Sequence, residues 1–497
     1  MAALDLPVFE LSEKIRKGEI AAREVAEAAL AKIAEQSSLN AFLHVSEASV
    51  LDAATELDAR RQRGEALGPL AGVPIAIKDA LCTTDAPTTC ASRILTRRGA
   101  DGKPGDAAAG WRPPYDATAV ARLRRAGALL VGKTNMDEFA MGSSGENSAF
   151  GPARNPVDPT RTPGGSSSGS AVAVAAGMAL GSLGSDTGGS IRQPAAFCGV
   201  VGIKPSYGRV SRYGLVAFAS SLDQIGPFAR DVRSAAHVLA AIAGPDERDS
   251  TAAATPVGNY AAACERDVKS LRIGVPEEYF AEGLDPEIAE QIRGALAKLE
   301  REGCSIRPVK LPHTQYGVAT YYIVATAEAS SNLARFDGVR FGLRIEPERG
   351  SLTNMYGATR NAGFGAEVKR RILLGTYVLS AGYYDAYYKK AQQARTLIRR
   401  DFDAAFRDVD VIACPTSPTP AFRLGEKVDD PLAMYLADVY TLPASLAGIA
   451  GMSLPCGFTT ARADRPRLPV GLQLLAPAFG EETLLTAAAG VERLCRS

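Results

Sequence analysis

The chain alternates between short apolar runs and longer segments in which apolar residues recur every three to four positions. Apolar runs rich in β-branched residues predict buried strands, and the longer periodicity predicts amphipathic helices. Predicted helices cover residues 8–36, 46–63, 118–127, 286–303 and 481–494. Predicted strands cover residues 70–79, 128–132, 270–275, 408–416 and 468–477. Because strands and helices follow one another along most of the chain, the pattern predicts an α/β fold.

The same pattern bears on domain organisation. Residues 280–400 read as a mainly helical region that would lie over the core like a cap. Strands before and after it could pair in one sheet, so we expect a single large domain spanning residues 1–497. The low-complexity insert at 96–111 is typical of a surface loop.

Composition narrows the class of protein. The chain has 497 residues, 46% hydrophobic and 22% charged, with a net charge of +1, as expected for a globular protein with a large core. Nearly balanced charge argues against binding a long stretch of nucleic acid, which normally needs a basic surplus. The first residues do not resemble a signal peptide, and no window reaches the roughly 18 apolar residues of a membrane span. We therefore expect a cytoplasmic protein without a membrane partner.

Histidine and cysteine usage limits the possible chemistry. The eight cysteines are scattered without a CxxC pair, which suits a reducing compartment. His44, His237 and His313 are the three histidines, and none has a second ligand at metal spacing, so we expect no metal site. A hydrolase built on this sequence is therefore expected to use a base other than histidine.

One motif match fails on its context. Residues 127–134, GALLVGKT, fit the phosphate-loop pattern G-x-x-x-x-G-K-[ST]. In a phosphate loop the middle residues form the loop, whereas here they are a core strand preceded by a helix. The match therefore does not predict nucleotide binding.

Two serine-rich clusters offer a stronger signal. They read TPGGSSSGSA at 162–171 and SDTGGSIRQP at 185–194, and they bracket an apolar segment. Ser190 follows Thr187-Gly188-Gly189 and precedes a predicted helix. Glycines leave backbone N–H groups unshielded, and near a helix N-terminus such groups suit an oxyanion hole. The alternative is that Ser190 only caps the helix.

A serine nucleophile needs a base, and lysine is the next candidate after histidine. Lys78 closes the apolar run VPIAI, where burial would lower the pKa of its ammonium group. The alternative is an ordinary solvated lysine at a strand end. Ser166, just after Gly164 and Gly165, could relay a proton between Lys78 and Ser190.

These motifs resemble those of the amidase signature family across residues 164–227. The resemblance rests on GGSSSGSAVAVAAG, GSDTGGSIRQPAAFCGVVGIKPSYG and SSLDQIGP, on the upstream IKD lysine, and on the 24-residue step from Ser166 to Ser190. It implies the family fold, a central mixed β-sheet flanked by helices. It also implies a Ser-cisSer-Lys triad in which Ser190 is the nucleophile, Ser166 the relay and Lys78 the base, with Thr187, Gly188 and Gly189 forming the oxyanion hole.

Four further segments are similar to one branch of that family, the A subunits of glutamyl-tRNA(Gln)/aspartyl-tRNA(Asn) amidotransferases. These segments are 133–156, 328–342, 363–391 and 430–443. Ser445 and Ala450 depart from the branch, which tends to have Asn and Pro there.

The branch implies glutamine as ammonia donor. A free amino acid carries a carboxylate and an ammonium group, and an arginine can bind the carboxylate in a bidentate way. By motif match, Arg371 would bind the carboxylate, Asp438 the ammonium, and Tyr322 the side chain. Arg370 competes with Arg371 for the first role.

The branch also implies partners. Ammonia would pass to a B subunit that carries ATP and Mg²⁺ chemistry and most contacts to aminoacyl-tRNA, with a small C subunit as the third member. No cofactor is expected in this chain itself.

Two other functions remain open at this point. A free-standing amidase of the same family would act on other amides without partners and would lack the Arg371 and Asp438 pair. A nucleotide-binding or scaffold subunit with inactive motifs would be insensitive to replacement of Ser190.

Overall fold

The computed structural model describes residues 3–99, 102–347, 350–463 and 465–495. Within these ranges the chain forms eleven strands: β1 Phe42–Val45, β2 Pro74–Lys78, β3 Leu129–Thr134, β4 Gly181–Asp186, β5 Val201–Lys204, β6 Gln224–Ala229, β7 Arg272–Pro276, β8 Ser305–Val309, β9 Val411–Pro415, β10 Ala450–Phe458 and β11 Pro469–Ala476.

The same ranges contain sixteen α-helices. They are α1 Val8–Lys17, α2 Ala22–Glu35, α3 Glu47–Gln62, α4 Thr118–Arg125, α5 Ser168–Ala175, α6 Arg192–Cys198, α7 Val232–Ile242, α8 Tyr260–Ala263, α9 Pro286–Arg301, α10 Gly317–Asn332, α11 Leu352–Gly363, α12 Ala366–Leu379, α13 Lys390–Ala405, α14 Pro431–Leu436, α15 Leu442–Ala447 and α16 Glu481–Cys495.

All eleven strands join one mixed sheet in the order β1-β3-β2-β4-β6-β5-β10-β11-β9-β7-β8. Strands β3, β2 and β4 run parallel, and so do β9, β7 and β8. The strands between these groups pair antiparallel. The α/β class and the central mixed sheet flanked by helices are therefore confirmed.

Two predicted elements differ in detail from the structure. The helix expected at 8–36 is divided into α1 and α2, because Gly18 ends α1 with a left-handed φ of +77°. The strand expected at 128–132 continues to Thr134, so Lys133 of the phosphate-loop pattern lies inside β3. Its ammonium group pairs with Asp79, at 3.1 Å, and donates to Thr88 Oγ1, at 2.7 Å.

Apolar side chains pack on both faces of the sheet. Strand β9 shows the alternation, because Val411 and Ala413 join one buried cluster while Ile412 and Cys414 join another. The first cluster includes residues of α1 to α5, α7, α9 and α16, and the second includes residues of α10, α12, α13 and α15.

The region 280–400 is not helical throughout. Helix α9 packs against β10, and β8 forms one edge of the sheet, so residues 286–309 belong to the sheet layers. Helix α10 follows and packs on α12 and α13, whereas α11 packs on residues 93–95.

The insert at 96–111 folds back on itself where it is described. Thr96 pairs with Gly110, and Arg98 pairs with Pro104. Residues 100 and 101 of the insert lie outside the described residues. Trp111 ends it by stacking on Phe341, with ring centroids 5.7 Å apart.

Three further features concern the cysteines, metal binding and membrane crossing. All eight cysteines are free thiols. In the described ranges, His, Cys, Asp and Glu side chains form no group of three that could hold a metal ion. Among the helices of the same ranges, none has the length and apolar character needed to cross a membrane.

One edge of the sheet positions the serine clusters. Because β2 and β4 are adjacent and parallel, their carboxyl ends, Lys78 and Asp186, lie at the same edge. Helix α5 leads from this edge to the start of β4, and α6 begins just after the turn at 187–190. In open α/β sheets, this edge is where ligands bind.

Candidate active site

Lys78 lies at the centre of the site. The residue is fully buried at the end of β2. Its Nζ lies within hydrogen-bonding distance of three hydroxyl groups, those of Ser166 at 2.7 Å, Ser167 at 2.9 Å and Ser185 at 2.9 Å. The structure therefore brings the proposed base and the proposed relay into direct contact.

The environment of Lys78 favours a neutral amine. Burial lowers the pKa of Lys78 to about 7, against the opposing charges of Asp137, Asp186 and Asp223. No carboxylate among the described residues forms a salt bridge with Nζ, and its hydrogen-bond partners are neutral hydroxyls and a carbonyl. A lysine in this state can accept a proton near pH 7.

Ser166 follows a cis peptide bond, Gly165–Ser166. The backbone around it is held by polar groups, since Gly165 N–H donates to Gln193 Oε1 at 2.9 Å and Ser166 C=O accepts from Asp137 N–H at 3.2 Å. A Cβ on Gly165 would overlap Asp137 and would lie 2.7 Å from Gly145 N, so only glycine fits there. The glycines before Ser166 therefore allow close packing rather than flexibility.

Ser190 lies on the turn between β4 and α6 and is 6% exposed. Its carbonyl accepts from Ser167 N–H at 3.2 Å, which joins the two serine-rich clusters. Asp186 and Arg192, at the two ends of the turn, form a buried bidentate pair with two 2.9 Å hydrogen bonds. Burial alone would raise the pKa of Asp186, but the charge of Arg192 holds it below its ordinary value.

The turn presents backbone donors. In the described part of the chain, the N–H groups of Gly188, Gly189 and Ser190 donate to no acceptor. Gly189 has a φ of +151°, and a Cβ on it would overlap Thr441 Oγ1. A Cβ on Gly188 would lie 2.7 Å from Tyr321 Cζ. Bare N–H groups beside a serine provide the geometry that an oxyanion hole needs.

Thr187 is tied to the sheet by its side chain. Its hydroxyl donates to Asp223 Oδ1 at 2.7 Å. Asp223 also accepts from the N–H groups of Phe218 and Ala219. Burial raises the pKa of Asp223 to about 6, although these hydrogen bonds oppose the shift. The start of the turn is therefore anchored independently of its end.

The structure separates the two candidate arginines of α12. Arg371 is 2% exposed, and Arg370 is 46% exposed. Both guanidinium groups contact Glu367, whose Oε1 accepts from Arg371 Nε at 2.7 Å. Both arginines also line a cavity of about 130 Å³.

Asp438 lies beside the glycine turn. Its Oδ2 accepts a hydrogen bond from Ser143 Oγ. Its Oδ1 is buried, has no hydrogen-bond partner among the described residues, and lies 3.0 Å from the position that a Cβ on Gly189 would take. Burial raises the pKa of Asp438 to about 7. A buried carboxylate oxygen without a partner is suited to receive a donor from a ligand.

Tyr322 lies against Tyr435 and Arg371. Its ring stacks on Tyr435, with centroids 3.8 Å apart, and meets Tyr321 edge-on. The guanidinium carbon of Arg371 lies 5.2 Å from the Tyr322 centroid. Tyr322 therefore contacts Arg371, whereas its neighbour Tyr321 packs against Gly188.

Several residues of the site were not singled out from the sequence. Ser167 and Ser185 belong to the serine-rich clusters but had no predicted role, and both contact the amine of Lys78. The hydroxyls of Ser168 and Ser170 instead donate to the backbone carbonyls of Asn135 and Leu183. The remaining unanticipated residues are Asp137, Ser143, Arg192, Asp223, Tyr321, Glu367 and Tyr435. Most lie inside segments whose motifs were recognised, but sequence spacing carries no information on which side chains meet.

The three histidines lie elsewhere. His237 stacks on Phe9, and His313 Nδ1 is 2.8 Å from Asp401 Oδ1. His44 belongs to the edge strand β1. In the ranges that the structure describes, none of them hydrogen-bonds to Lys78, Ser166 or Ser190.

Comparisons with known proteins agree with this arrangement. The amidase family model matches residues 24–485. Among the curated relatives, the A subunit of glutamyl-tRNA(Gln) amidotransferase from Moorella thermoacetica is 57% identical, covering 98% of this chain and 96% of the relative. The proteins of the same description from Acidobacterium capsulatum and Myxococcus xanthus are each 56% identical, covering 97% and 99% of this chain and 97% and 98% of the relatives.

Solved structures show the same fold. The crystal structure of the glutamyl-tRNA(Gln) amidotransferase A subunit from Thermotoga maritima has a TM-score of 0.78 at 41% identity, covering 99% of this chain and 95% of that one. The peptide amidase of Stenotrophomonas maltophilia has a TM-score of 0.81 at 32% identity, covering 99% and 97%.

Proposed function

The chain belongs to the amidase family and, within it, to the glutamyl-tRNA(Gln) amidotransferase A subunits, and from this premise we propose that it is the glutamine-hydrolysing subunit of a tRNA-dependent amidotransferase. The observation that carries the proposal is the open, buried oxygen of Asp438 beside the glycine turn. Together with the buried guanidinium of Arg371, it offers one anion and one cation to an amino acid whose side chain reaches Ser190.

The proposed bond breaking begins at Lys78. The neutral amine accepts a proton through the Ser166 hydroxyl as Ser190 Oγ attacks the carboxamide carbon of glutamine. The N–H groups of the turn from Thr187 to Ser190 stabilise the oxyanion that forms. The tetrahedral intermediate then expels ammonia, which takes a proton through the same relay, and leaves a glutamyl ester on Ser190.

Water completes the cycle. It attacks the ester while Lys78, through Ser166, removes a proton, and glutamate leaves as Ser190 regains its hydrogen. The balance is one glutamine and one water converted to glutamate and ammonia. Dividing the reaction around a covalent intermediate avoids direct attack of water on a stable amide.

Binding of glutamine is assigned to Arg371, Asp438 and Tyr322. Arg371 would take the α-carboxylate in a bidentate contact, because its guanidinium is buried and Arg370 lies outside. Asp438 Oδ1 would accept from the α-ammonium group. Tyr322, stacked on Tyr435, would contact the side chain of the substrate.

Ammonia must reach an acceptor before bulk water protonates it, which implies partner subunits. We assign amidation of Glu-tRNA(Gln), Asp-tRNA(Asn) or both to a B subunit that uses ATP and Mg²⁺ and makes most tRNA contacts, with a C subunit as third member. The nearly neutral charge of this chain supports that division, and a tRNA acceptor supports a cytoplasmic location.

Apolar residues near the cavity support partner binding. Leu373 is 70% exposed, and it follows Arg370 at helical spacing together with the exposed Leu374 and Tyr377. Val428 lines the cavity, and the exposed Leu432 follows it on α14. Exposed apolar side chains on one helix face are typical of protein–protein surfaces.

The test uses the chain assembled with its B and C subunits. With glutamine as donor, Ser190→Ala should lower glutamate release by about 10⁴-fold or more. With ammonium chloride as donor, the same complex should still amidate aminoacyl-tRNA, because only the source of ammonia is lost. Ser168→Ala is the matched control, since that hydroxyl donates to the carbonyl of Asn135 and not to a residue of the triad.

Two outcomes would contradict the proposal, and a third would disqualify the variant as a test. Glutamine turnover that survives Ser190→Ala would remove the assigned nucleophile and favour a scaffold or nucleotide-binding subunit. Wild-type chain that hydrolyses simple amides and ignores glutamine would favour a free-standing amidase. Loss of amidation with ammonium chloride would show that the substitution damages assembly rather than chemistry.

A further inference from the structure

Glu367 lies one helical turn before Arg371 on α12 and holds three side chains at once. Its Oε1 accepts from Arg371 Nε at 2.7 Å and from Tyr435 OH at 3.0 Å. Its Oε2 accepts from Arg370 Nη1. The side chain of Glu367 is only 10% exposed, so these partners take the place of water.

Aromatic rings enclose the guanidinium of Arg371. Its central carbon lies 5.2 Å from the Tyr322 centroid, 5.5 Å from that of Tyr435 and 5.6 Å from that of Phe218. Tyr435 therefore acts twice, stacking on Tyr322 and donating its hydroxyl to Glu367. The rings and the carboxylate together fix both the position and the plane of the guanidinium.

The hydrogen bonds leave the two terminal nitrogens of Arg371 available to a ligand. Within the described residues, the side chain of Arg371 makes one hydrogen bond, and it uses Nε. Nη1 and Nη2 therefore carry donors without acceptors on a residue that lines the cavity. Two parallel N–H donors match the two oxygens of a carboxylate.

Arg370 completes the charge balance. Glu367 and Arg371 alone would be neutral, whereas Glu367 with both arginines carries one positive charge. Burial would raise the pKa of Glu367, but the charge of Arg371 and the hydrogen bonds hold it below its ordinary value, so the carboxylate stays ionised. Glu367 and the two arginines therefore carry a net positive charge, and the guanidinium of Arg371 is held in a fixed orientation.

We propose that Glu367, supported by Tyr435 and Arg370, is the positioning residue that orients Arg371 toward a free α-carboxylate and so makes the site select amino-acid glutamine over amides without that group. This inference rests on the proposed function and deepens it. Glu367 itself touches neither the substrate nor the reacting atoms.

The test compares two substrates of the assembled complex, glutamine and glutaminol, in which a hydroxymethyl group replaces the α-carboxylate. In Glu367→Gln, one amide oxygen cannot hold both arginines, and the amide NH₂ faces a guanidinium. The KM for glutamine should rise about tenfold with kcat nearly unchanged, and the KM for glutaminol should not move. Preference for glutamine should therefore fall about tenfold.

Two milder variants keep the test independent of folding. Tyr435→Phe removes one hydroxyl and should raise the KM for glutamine about threefold. Arg370→Gln lowers the local charge and should have an effect of similar size. Glu27→Gln is the control, because Glu27 forms an exposed i,i+4 pair with Arg23. This variant should change the KM of neither substrate.

The failures of the two proposals can be told apart. Wild type that does not hydrolyse glutamine would overturn the proposed function. Wild type that does so, while Glu367→Gln keeps its preference for glutamine or lowers kcat equally for both substrates, would overturn only the inference. A fall in the KM for glutamine would also overturn it, because Glu367 would then only neutralise charge.

Discussion

The two halves of the site are held in different ways. Lys78, Ser166 and Ser190 lie at one edge of the sheet and are fixed by short segments of backbone between β2 and α6. Arg371 lies on α12 and Asp438 in the turn between α14 and α15, much later in the chain, and side chains hold both in place. The catalytic half is therefore part of the core, whereas the recognition half is attached to it.

The difference shows in the space that each half leaves. A Cβ on Gly165 would overlap Asp137, and one on Gly189 would overlap Thr441, so the catalytic half admits no added atom at either position. The recognition half borders a cavity of about 130 Å³. We expect changes in the first half to abolish turnover and changes in the second half to shift affinity and selectivity.

After Ser190→Ala, the largest effect should come from Lys78→Ala. Without the buried amine, Ser190 has no base within reach through Ser166, and kcat for glutamine should fall about 10³-fold or more. The measurement is glutamate release by the assembled complex, with ammonium-dependent amidation as the check on folding. Lys369→Ala, at a partly exposed lysine on α12 that bonds to Asn361, is the control and should stay near wild type. Activity within tenfold of wild type would remove Lys78 from the mechanism.

The next effect should come from Asp438→Asn in the recognition half. The amide cannot balance the α-ammonium charge, so kcat/KM for glutamine should fall about 100-fold, mostly through KM. 4-Carbamoylbutanoate, which lacks the amine but keeps the carboxylate and carboxamide, should lose much less. Equal losses for both substrates would show that Asp438 only supports the fold around Ser143.

The pH dependence of kcat/KM tests both halves at once, because it involves one ionisable group from each half. Lys78 must be neutral and Asp438 ionised, and burial brings the pKa of each to about 7. Both conditions are met by loss of a proton, so kcat/KM should rise as pH increases through about 7. In the wild type, two ionisations should determine the rising limb of the pH profile of kcat/KM. In Asp438→Asn, only the ionisation of Lys78 should determine it. An identical limb in both proteins would contradict the assignment.

The smallest effect should come from Thr187→Val, which tests the anchor of the turn. The change keeps the shape of the side chain and removes the hydrogen bond to Asp223. We expect kcat to fall about tenfold and the KM for glutamine to stay constant, because the N–H donors shift slightly while the recognition half is untouched. Thr376→Val, on the exposed face of α12, is the control. A change confined to KM would argue against a role of this anchor in the chemistry.

Much of the catalytic half could be predicted from the sequence. Lys78 ends a visible strand, and Ser166 and Ser190 lie in glycine-rich clusters whose spacing is distinctive. Their roles remain proposals, but the structure places the three residues at one edge of the sheet. The contacts of Ser167 and Ser185 with Lys78 could not be predicted, because neighbouring serines look alike until the chain is folded.

The recognition half was harder to predict from the sequence. The motif on α12 favoured Arg371 but left Arg370 as a competitor, and one helical step of about 100° separates an exposed arginine from a buried one. Glu367, Tyr435 and Ser143 gave no signal of their own, because their importance lies in partners that are distant in the chain.

The sequence by itself determined the local conformations: where strands and helices form, where glycine must replace larger residues, and which segments carry serine and lysine. These depend on residue type and spacing, which act over a few positions. Tertiary structure alone decided which hydroxyls surround Lys78, which arginine is buried and which oxygen of Asp438 is left without a partner. Those features depend on distances between segments far apart in the chain, and packing of the helices on the sheet sets them.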